Sequence, residues 1–225
     1  MENNMSIWDP TIQQDWVRRV QTYTLPPMII AVAITGGVQG KEINPNHPET
    51  PEEQATQTEE CYKLGATLVH VHVRNPENWS HTTSHPEQYR VVNALIREKC
   101  PEIIINNTTG GGIGAESEEA RLASVKANPE VCSLDMGPLA VRGKLRKRLP
   151  PLSGRPEDIE MDSCMPTTYG ETEKFAKIML EKGIKPELEV WHTGQYWLVN
   201  NLIEQGLVEP PYMIQFVMGF SSGAN

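Results

Sequence analysis

The sequence has few cysteines, no long apolar stretch and no excess of positive charge, and each shortage excludes a class of protein. Its four cysteines, Cys61, Cys100, Cys132 and Cys164, are each more than thirty residues apart, so no close pair suggests a zinc knuckle or a dithiol redox motif. No apolar run reaches membrane-spanning length. A formal net charge of -9 and a pI of about 5.2 argue against a nucleic-acid partner.

The first twenty residues do not have the features of an export signal, because they are polar and lack an apolar core. Together with cysteines expected to be reduced thiols, this predicts a cytoplasmic protein with no membrane partner. The only basic cluster, residues 142–148, is short and is interpreted as a solvated loop. It could also attract a phosphorylated ligand such as coenzyme A.

Strands and helices alternate along the chain. Short segments rich in valine and isoleucine are predicted as strands at 28–35, 67–73, 103–107, 131–134, 187–191 and 212–218. Helices are predicted between them, and capping-box sequences begin three of these helices, at 50–53, 84–87 and 168–171. A proline-rich basic stretch, residues 137–168, interrupts the alternation.

Parallel strands joined by helical crossovers form either a closed barrel or an open doubly wound sheet. Polar residues follow five of the strands, at 35–37, 70–74, 106–112, 133–135 and 189–192. Because all strand ends converge in a barrel, this favours an α/β TIM (β/α)8-type barrel with about six of eight strand-helix units. Residues 1–27 are predicted as an N-terminal helical extension, and 28–225 as the incomplete barrel domain.

The segment from Val69 to Arg74 alternates valines with polar residues, which places His70, His72 and Arg74 on one face of a strand. Imidazole is the commonest protein ligand for zinc. We therefore predict that His70 and His72 bind one divalent metal ion. The alternative is two hydrogen-bonded histidines on a half-buried strand. The loop histidines, His47, His81 and His85, are expected to be exposed.

Three other features could take part in chemistry. Glu187 and Glu189 share a strand face, and because a buried carboxylate needs a cation, Glu189 is predicted to act beside the metal or Arg74. Glu187 is interpreted as part of a structural ion pair. Glycine backbone amides at 110–114 could bind a carboxylate or phosphate, with a tight turn as the alternative. Thr108 and Ser133 offer hydroxyls that could orient a substrate or cap strand ends.

Seven short motifs, taken in order, resemble those of the β-keto acid cleavage enzyme family. They are residues 34–36 (ITG), 50–54 (TPEEQ), 70–74 (HVHVR), 107–111 (NTTGG), 133–137 (SLDMG), 186–190 (PELEV) and 215–219 (QFVMG). The resemblance implies a TIM barrel with a divalent metal, usually zinc. It also implies that a β-keto acid reacts with acetyl-CoA to give a new acyl-CoA and acetoacetate, and we expect a homo-oligomer.

The resemblance also assigns site residues by position. His70 and His72 match the metal-binding histidines of the family, Glu189 matches an active-site glutamate, and Thr108 and Ser133 fall where the family has substrate-contacting hydroxyls. These three non-histidine residues are the predicted catalytic set. The predicted substrate-binding residues are Thr35, Arg74, Asn106, Gly110 and Gly111.

Departures from the family pattern leave alternatives open. The third metal ligand of the family, a glutamate on its last strand, has no counterpart up to Asn225, so we expect this chain alone to retain metal weakly, to self-associate and to be a poor or inactive enzyme. Asp135 stands at an asparagine position, His192 at an acidic one, and Val38 where some members carry glutamate. The alternatives are a noncatalytic barrel segment that assembles with another chain, or less favoured, an amidohydrolase-like metal hydrolase.

Overall fold

Six parallel strands form a single sheet in the computed structural model, which describes residues 13–23, 28–110, 117–165 and 167–219. The strands, numbered in chain order with the two hairpin strands included, are β1 (Ala31–Ala33), β2 (Leu68–Val71), β3 (Ile104–Asn107), β4 (Val131–Asp135), β5 (Leu139–Leu145), β6 (Ile159–Met165), β7 (Lys185–Val190) and β8 (Met213–Phe216). The sheet order is β1-β2-β3-β4-β7-β8. A doubly wound sheet would reverse its order at a switch point. The barrel-type fold with six strand-helix units is therefore confirmed.

The helices follow the predicted rhythm, and local sequence explains their ends. They are α1 (Gln13–Gln21), α2 (Pro51–Lys63), α3 (Pro86–Lys99), α4 (Glu118–Arg121), α5 (Tyr169–Lys182) and α6 (Tyr196–Glu204). Capping boxes begin α2 at Thr50 and α5 at Thr168, as predicted. In the described part of the chain, none of the helices combines the length and apolarity needed to cross a bilayer.

The predicted capping box at the start of α3 is wrong. Pro86 occupies the first helical position, so the N-cap is His85 rather than Ser84, and no side chain caps this end. The helix predicted up to residue 127 is also shorter than expected, because α4 ends at Arg121 and a separate 3-10 turn, Val125–Ala127, follows.

The two faces of the sheet differ in chemistry. The outer face packs against the helices through two apolar clusters. One contains Val69, Val71, Ile105, Val92 and Ile96, and the other Leu134, Leu188, Val190, Phe175, Met179, Leu198 and Leu202. The register pairs His70 with Asn106, Ser133 with Glu187, and Asp135 with Glu189. Since paired residues point to the same side of a sheet, these polar side chains line the inner face.

The stretch predicted to interrupt the alternation contains an antiparallel hairpin. β5 and β6 pair over their full lengths between β4 and α5, with Leu139 opposite Met165 and Leu145 opposite Ile159. Ion pairs on the hairpin surface join Arg142 to Asp162 and Lys144 to Glu160. Part of the basic cluster is thus a strand rather than a solvated loop.

Candidate metal and substrate site

Two histidines and two glutamates meet on the inner face of the sheet. The Nε2 atoms of His70 and His72 are 3.1 Å apart, and the Nδ1 atom of His70 is 3.8 Å from Oε2 of Glu187. His70, Glu187 and Glu189 each offer one ligand atom, and these three atoms lie within 4.8 Å of one another. The structure therefore brings the predicted histidine pair together with the β7 carboxylates.

Both histidines are neutral at neutral pH. Burial lowers the pKa of His70 to about 4, and burial together with nearby positive groups lowers the pKa of His72 further below its usual value. The Nδ1 atoms of both rings are buried and make no hydrogen bond among the described residues. Neutral imidazoles are suited to bind a cation, because a ligand nitrogen must first be free of its proton.

The carboxylates of the site lie close together and are largely enclosed. Burial raises the pKa of Glu189 well above its usual value, and the charges of Asp135 and Glu187 add to this. Burial also raises the pKa of Asp135, although the indole N–H of Trp191 donates to Asp135 at 2.9 Å. The nearest side-chain cation is Arg121, whose Nη2 is 3.9 Å from Asp135. A bound divalent cation would compensate this concentration of negative charge.

Glu187 does not form the structural ion pair predicted for it. Its carboxylate accepts a short hydrogen bond from Nδ2 of Asn106 and faces His70, which is neutral. Sequence reasoning missed this residue as part of the site because it stands near the start of β7. The register of β7 with β4, which places Glu187 beside Ser133, becomes visible only in the sheet.

The predicted hydroxyl residues accept hydrogen bonds from the backbone. Thr108 directly follows β3, and its Oγ1 accepts a hydrogen bond from the backbone N–H of Gly110 at 3.0 Å. Ser133 is the central residue of β4, and its Oγ accepts one from the N–H of Thr109 at 3.1 Å. Thr108 thus has the strand-end role that the sequence left open, and substrate contact remains a prediction for both residues. Gly111 lies outside the described residues. His192, which stands at an acidic position of the family, is exposed before a 3-10 turn and is not among the clustered ligand atoms.

Arg74 forms a second polar corner of the site with Thr35 and His47. Arg74 is fully buried, and its Nη2 donates to the carbonyl of Gln39 and lies 3.1 Å from Nε2 of His47. Nε2 of His47 is also 2.5 Å from Oγ1 of Thr35. Nε and Nη1 of Arg74 have no hydrogen-bond partner among the described residues. Burial lowers the pKa of Arg74 to about 10, so the side chain stays charged at neutral pH.

The expectation that His47 is exposed is therefore wrong. Its ring is half-buried against Thr35 and Arg74, and burial followed by the charge of Arg74 lowers its pKa. His85 is exposed as expected, whereas His81 is half-buried. No pattern in the loop around His47 indicates this contact, because it depends on how the segment after β1 folds back over β2.

A buried network of ion pairs, here called the mouth cluster, holds the β1–α2 loop against the loop that joins the two hairpin strands. It consists of Glu42, Glu49, Arg148 and Arg155. Arg148 contacts Glu49 with both terminal nitrogens at 2.8 Å, and Arg155 contacts Glu42 at 2.6 Å. A Cβ atom on Gly40 would lie 2.2 Å from Glu49, so the loop requires glycine there. The basic residue Arg148, predicted to be solvated, is in fact buried.

Comparison with curated proteins gives several relatives. Two are named 3-keto-5-aminohexanoate cleavage enzyme. The one from Fusobacterium nucleatum is 34% identical over 198 residues, covering 88% of this chain and 65% of its own length. The one from Acetoanaerobium sticklandii is 33% identical, covering 87% and 64%. A 3-oxoadipate:acetyl-CoA acetyltransferase from Cupriavidus necator is 31% identical, covering 87% and 61%. The chain thus spans about two thirds of the length of these relatives.

Solved structures share the fold. The apo structure of ObcA matches with a TM-score of 0.56 at 20% identity, covering 78% of this chain and 37% of that chain. The ternary complex of ObcA with a C4-CoA adduct and oxalate matches with a TM-score of 0.57, covering 78% and 38%. The family model described as beta-keto acid cleavage enzyme matches residues 27–225. This match confirms the resemblance of the ordered motifs: the chain belongs to the beta-keto acid cleavage enzyme family.

Proposed function

We propose that this chain takes part in the cleavage of a β-keto acid with acetyl-CoA, giving an acyl-CoA and acetoacetate, at a site containing a divalent metal. The observation that carries the proposal is the pair of neutral histidines, with Nε2 atoms 3.1 Å apart, beside the carboxylates of β7. Family membership and the acetyl-CoA transferase names of several relatives support the reaction type.

The residues present fit a metal such as zinc. His70 and His72 would hold it through Nε2, and the oxygens of Glu187 and Glu189 lie close enough to His70 to be considered as further ligands. A divalent cation at this position would stabilise the negative charge that develops on the keto oxygen of the substrate. The identity of the metal remains a prediction, as do the homo-oligomer and the cytoplasmic location.

The reaction balances without an oxidant or reductant. The bond between C2 and C3 of the β-keto acid breaks, C2 forms a new bond to the acetyl carbon, and the thiolate of coenzyme A goes to the remaining acyl group. We propose that Glu189 moves a proton at C2, because its enclosed carboxyl group binds a proton more readily than an exposed one.

Other side chains would hold the substrate while this exchange occurs. Thr108, directly after β3, and Ser133, within β4, carry hydroxyls that would orient a carbonyl or carboxylate group. Arg74 supplies a buried positive charge with two nitrogens, Nε and Nη1, that have no hydrogen-bond partner among the described residues, which suits an anionic substrate group. Thr35 and His47, which contact one another, border the same corner.

Label transfer tests the reaction directly. The protein is incubated with acetyl-CoA carrying carbon-13 in both acetyl carbons and with each of four β-keto acids taken from the names of the relatives: 3-keto-5-aminohexanoate, 3-oxoadipate, 3-dehydrocarnitine and 3,5-dioxohexanoate. We expect doubly labelled acetoacetate and a new acyl-CoA with at least one substrate. Mass spectrometry detects slow turnover. Absence of both products with all four would overturn the proposed reaction.

Metal analysis tests the metal site separately. A His70→Ala/His72→Ala double variant should lose the zinc that the unaltered protein takes up, because both nitrogens of the pair are removed. His85→Ala, which removes an exposed histidine, is the matched control and should bind zinc normally. Equal zinc content in all three proteins would show that this pair is not the metal site.

A further inference from the structure

The nitrogen of His70 that faces away from His72 lies against a buried polar pair. Its Nδ1 is 3.8 Å from Oε2 of Glu187, and the same oxygen accepts a short hydrogen bond from Nδ2 of Asn106. Asn106 is the register partner of His70 on the neighbouring strand. Oδ1 of Asn106 and Nδ1 of His70 are both buried, and neither makes a hydrogen bond among the described residues. Two neighbouring strands therefore each carry a buried polar atom that has no partner, one an amide oxygen and the other a ring nitrogen.

The other ring nitrogen of His70 is the one placed to bind a cation. Two nitrogens bound tetrahedrally to zinc at ~2.0 to 2.1 Å lie about 3.4 Å from each other. The observed distance between the Nε2 atoms of His70 and His72 is 3.1 Å, which needs little adjustment. If Nε2 carries the lone pair for the metal, Nδ1 must carry the proton, and that N–H needs an acceptor.

We infer that Glu187 and Asn106 are positioning residues for His70, an assignment that rests on the proposed metal site. Asn106 Oδ1 accepts the Nδ1–H of His70, and the Glu187 carboxylate fixes the amide of Asn106 in the orientation that allows this. Glu187 is then not a ligand of the metal. The bonding directions of Nδ1 and Nε2 diverge across the imidazole ring, so a carboxylate that faces Nδ1 cannot share a cation held at Nε2.

This assignment differs from two simpler interpretations of the same residues. Asn106 was predicted to contact substrate, whereas here its amide is occupied by Glu187 on one side and by His70 on the other. Glu187, whose Oε2 is 3.8 Å from Nδ1 of His70, could instead bind a cation through that nitrogen together with Glu189, since one ligand atom from each of the three residues lies within 4.8 Å of the others. In that arrangement Nδ1 would carry no proton and Glu187 would be a ligand.

Metal affinity and the spectrum of a cobalt-substituted protein distinguish these roles. We expect Glu187→Gln to weaken zinc binding by about 10 to 100-fold, the usual effect of removing an outer partner of a metal-binding histidine. Affinity is measured by competition with a chelator. The visible absorption of bound Co²⁺ should keep its band positions and intensity, because the ligands are unchanged. Glu181→Gln, an exposed substitution of the same kind, should leave both measurements unchanged.

A second variant keeps the inference testable if the first alters the sheet. Asn106→Ala should weaken zinc binding to a similar extent, and the double variant should lose little more, because both residues act through one ring. Unchanged zinc affinity in both variants would overturn the inference, and a changed Co²⁺ spectrum in Glu187→Gln would make Glu187 a ligand. The histidine double variant tests the metal site itself, so the two failures are separable.

Discussion

Two buried clusters of ionisable side chains differ in how far their polar atoms are satisfied by partners within the protein. In the mouth cluster, every carboxylate contacts a guanidinium and no side-chain polar atom lacks a hydrogen-bond partner. The inner cluster consists of His70, His72, Asp135, Glu187 and Glu189. Three of its members, both histidines and Asp135, keep a buried polar atom without a partner among the described residues. Because the polar atoms of the first cluster are satisfied within the protein, we interpret this cluster as structural. Because buried polar atoms of the second cluster lack hydrogen-bond partners, we interpret it as the candidate binding site.

The charge states of the two clusters differ in the same way. Burial opposes ionisation of Glu49, but hydrogen bonds from Arg148 and the backbone of Lys41 outweigh it and hold its pKa below the usual value. In the inner cluster, burial lowers the pKa of His70 and raises that of Glu189, so both move toward the neutral form. One cluster therefore supplies its own counter-charges, whereas the other would be completed by a bound cation.

Breaking the mouth cluster should have the largest effect on stability. Glu49→Gln leaves the buried guanidinium of Arg148 with one carboxylate instead of two, and we expect the free energy of unfolding to fall by about 3 kcal/mol. Urea unfolding at neutral pH measures it. A loss below about 0.5 kcal/mol would show that the three remaining members of the cluster compensate.

The same substitution predicts a pH dependence with a defined sign. Because the pKa of folded Glu49 lies below its usual value, its contribution is complete above the unfolded pKa and is lost as the pH falls through the folded pKa. The difference in the free energy of unfolding between the unaltered protein and Glu49→Gln should therefore be constant around neutral pH, from about 6 to about 8. It should shrink below about pH 4.5. A difference that grows on acidification would contradict the assignment.

Removing a carboxyl group from the inner cluster should instead raise the free energy of unfolding. Glu189→Gln removes one of three enclosed carboxyl groups, of which only Asp135 contacts a guanidinium in the described part of the chain, so the metal-free protein should become more stable, by about 1 kcal/mol. The same change should lower kcat/KM at least about tenfold, or ~1.4 kcal/mol, if the carboxylate acts in the transition state. Unfolding in the presence of EDTA and the label-transfer assay measure the two effects. A less stable but fully active variant would assign Glu189 to structure.

The smallest effect is expected on the hairpin surface. Glu160 pairs with Lys144 at 3.2 Å, but the Glu160 side chain is 74% exposed. Glu160→Gln should therefore change the free energy of unfolding by less than about 0.5 kcal/mol, since exposed ion pairs contribute little. This variant is the matched control for Glu49→Gln, because the two differ mainly in burial. Equal losses in both would mean that burial does not distinguish the clusters.

Much of the sheet could be predicted from sequence because its signals are local. The valines of β2 alternate with histidines within four residues, and the capping boxes at Thr50 and Thr168 each lie within four residues. The hairpin could not be predicted in this way. Its strands carry alternating charges typical of a solvated surface, and they are joined by pairs such as Leu139 with Met165, which are distant in sequence.

The candidate site was predicted where residue type and strand face were sufficient, as for His70 and His72. The residues that were missed depend on contacts between distant segments. His47 reaches Arg74 across 27 residues, and Asn106 reaches Glu187 across 81. A glutamate near the start of a strand has no local feature that separates a salt bridge from a metal-site partner. Only the register of the assembled sheet makes that distinction.

The mouth cluster also has a consequence for the kinetics of folding. Its pairs join residues 99 and 113 positions apart, so their charges can lose water only after most of the chain between them is in place. Contacts of this kind are absent from an early folding transition state. A substitution that removes them therefore speeds unfolding and leaves the folding rate nearly unchanged. The mouth cluster would thus form late in folding, and its contacts would set the rate at which the β1–α2 loop and the hairpin separate on unfolding.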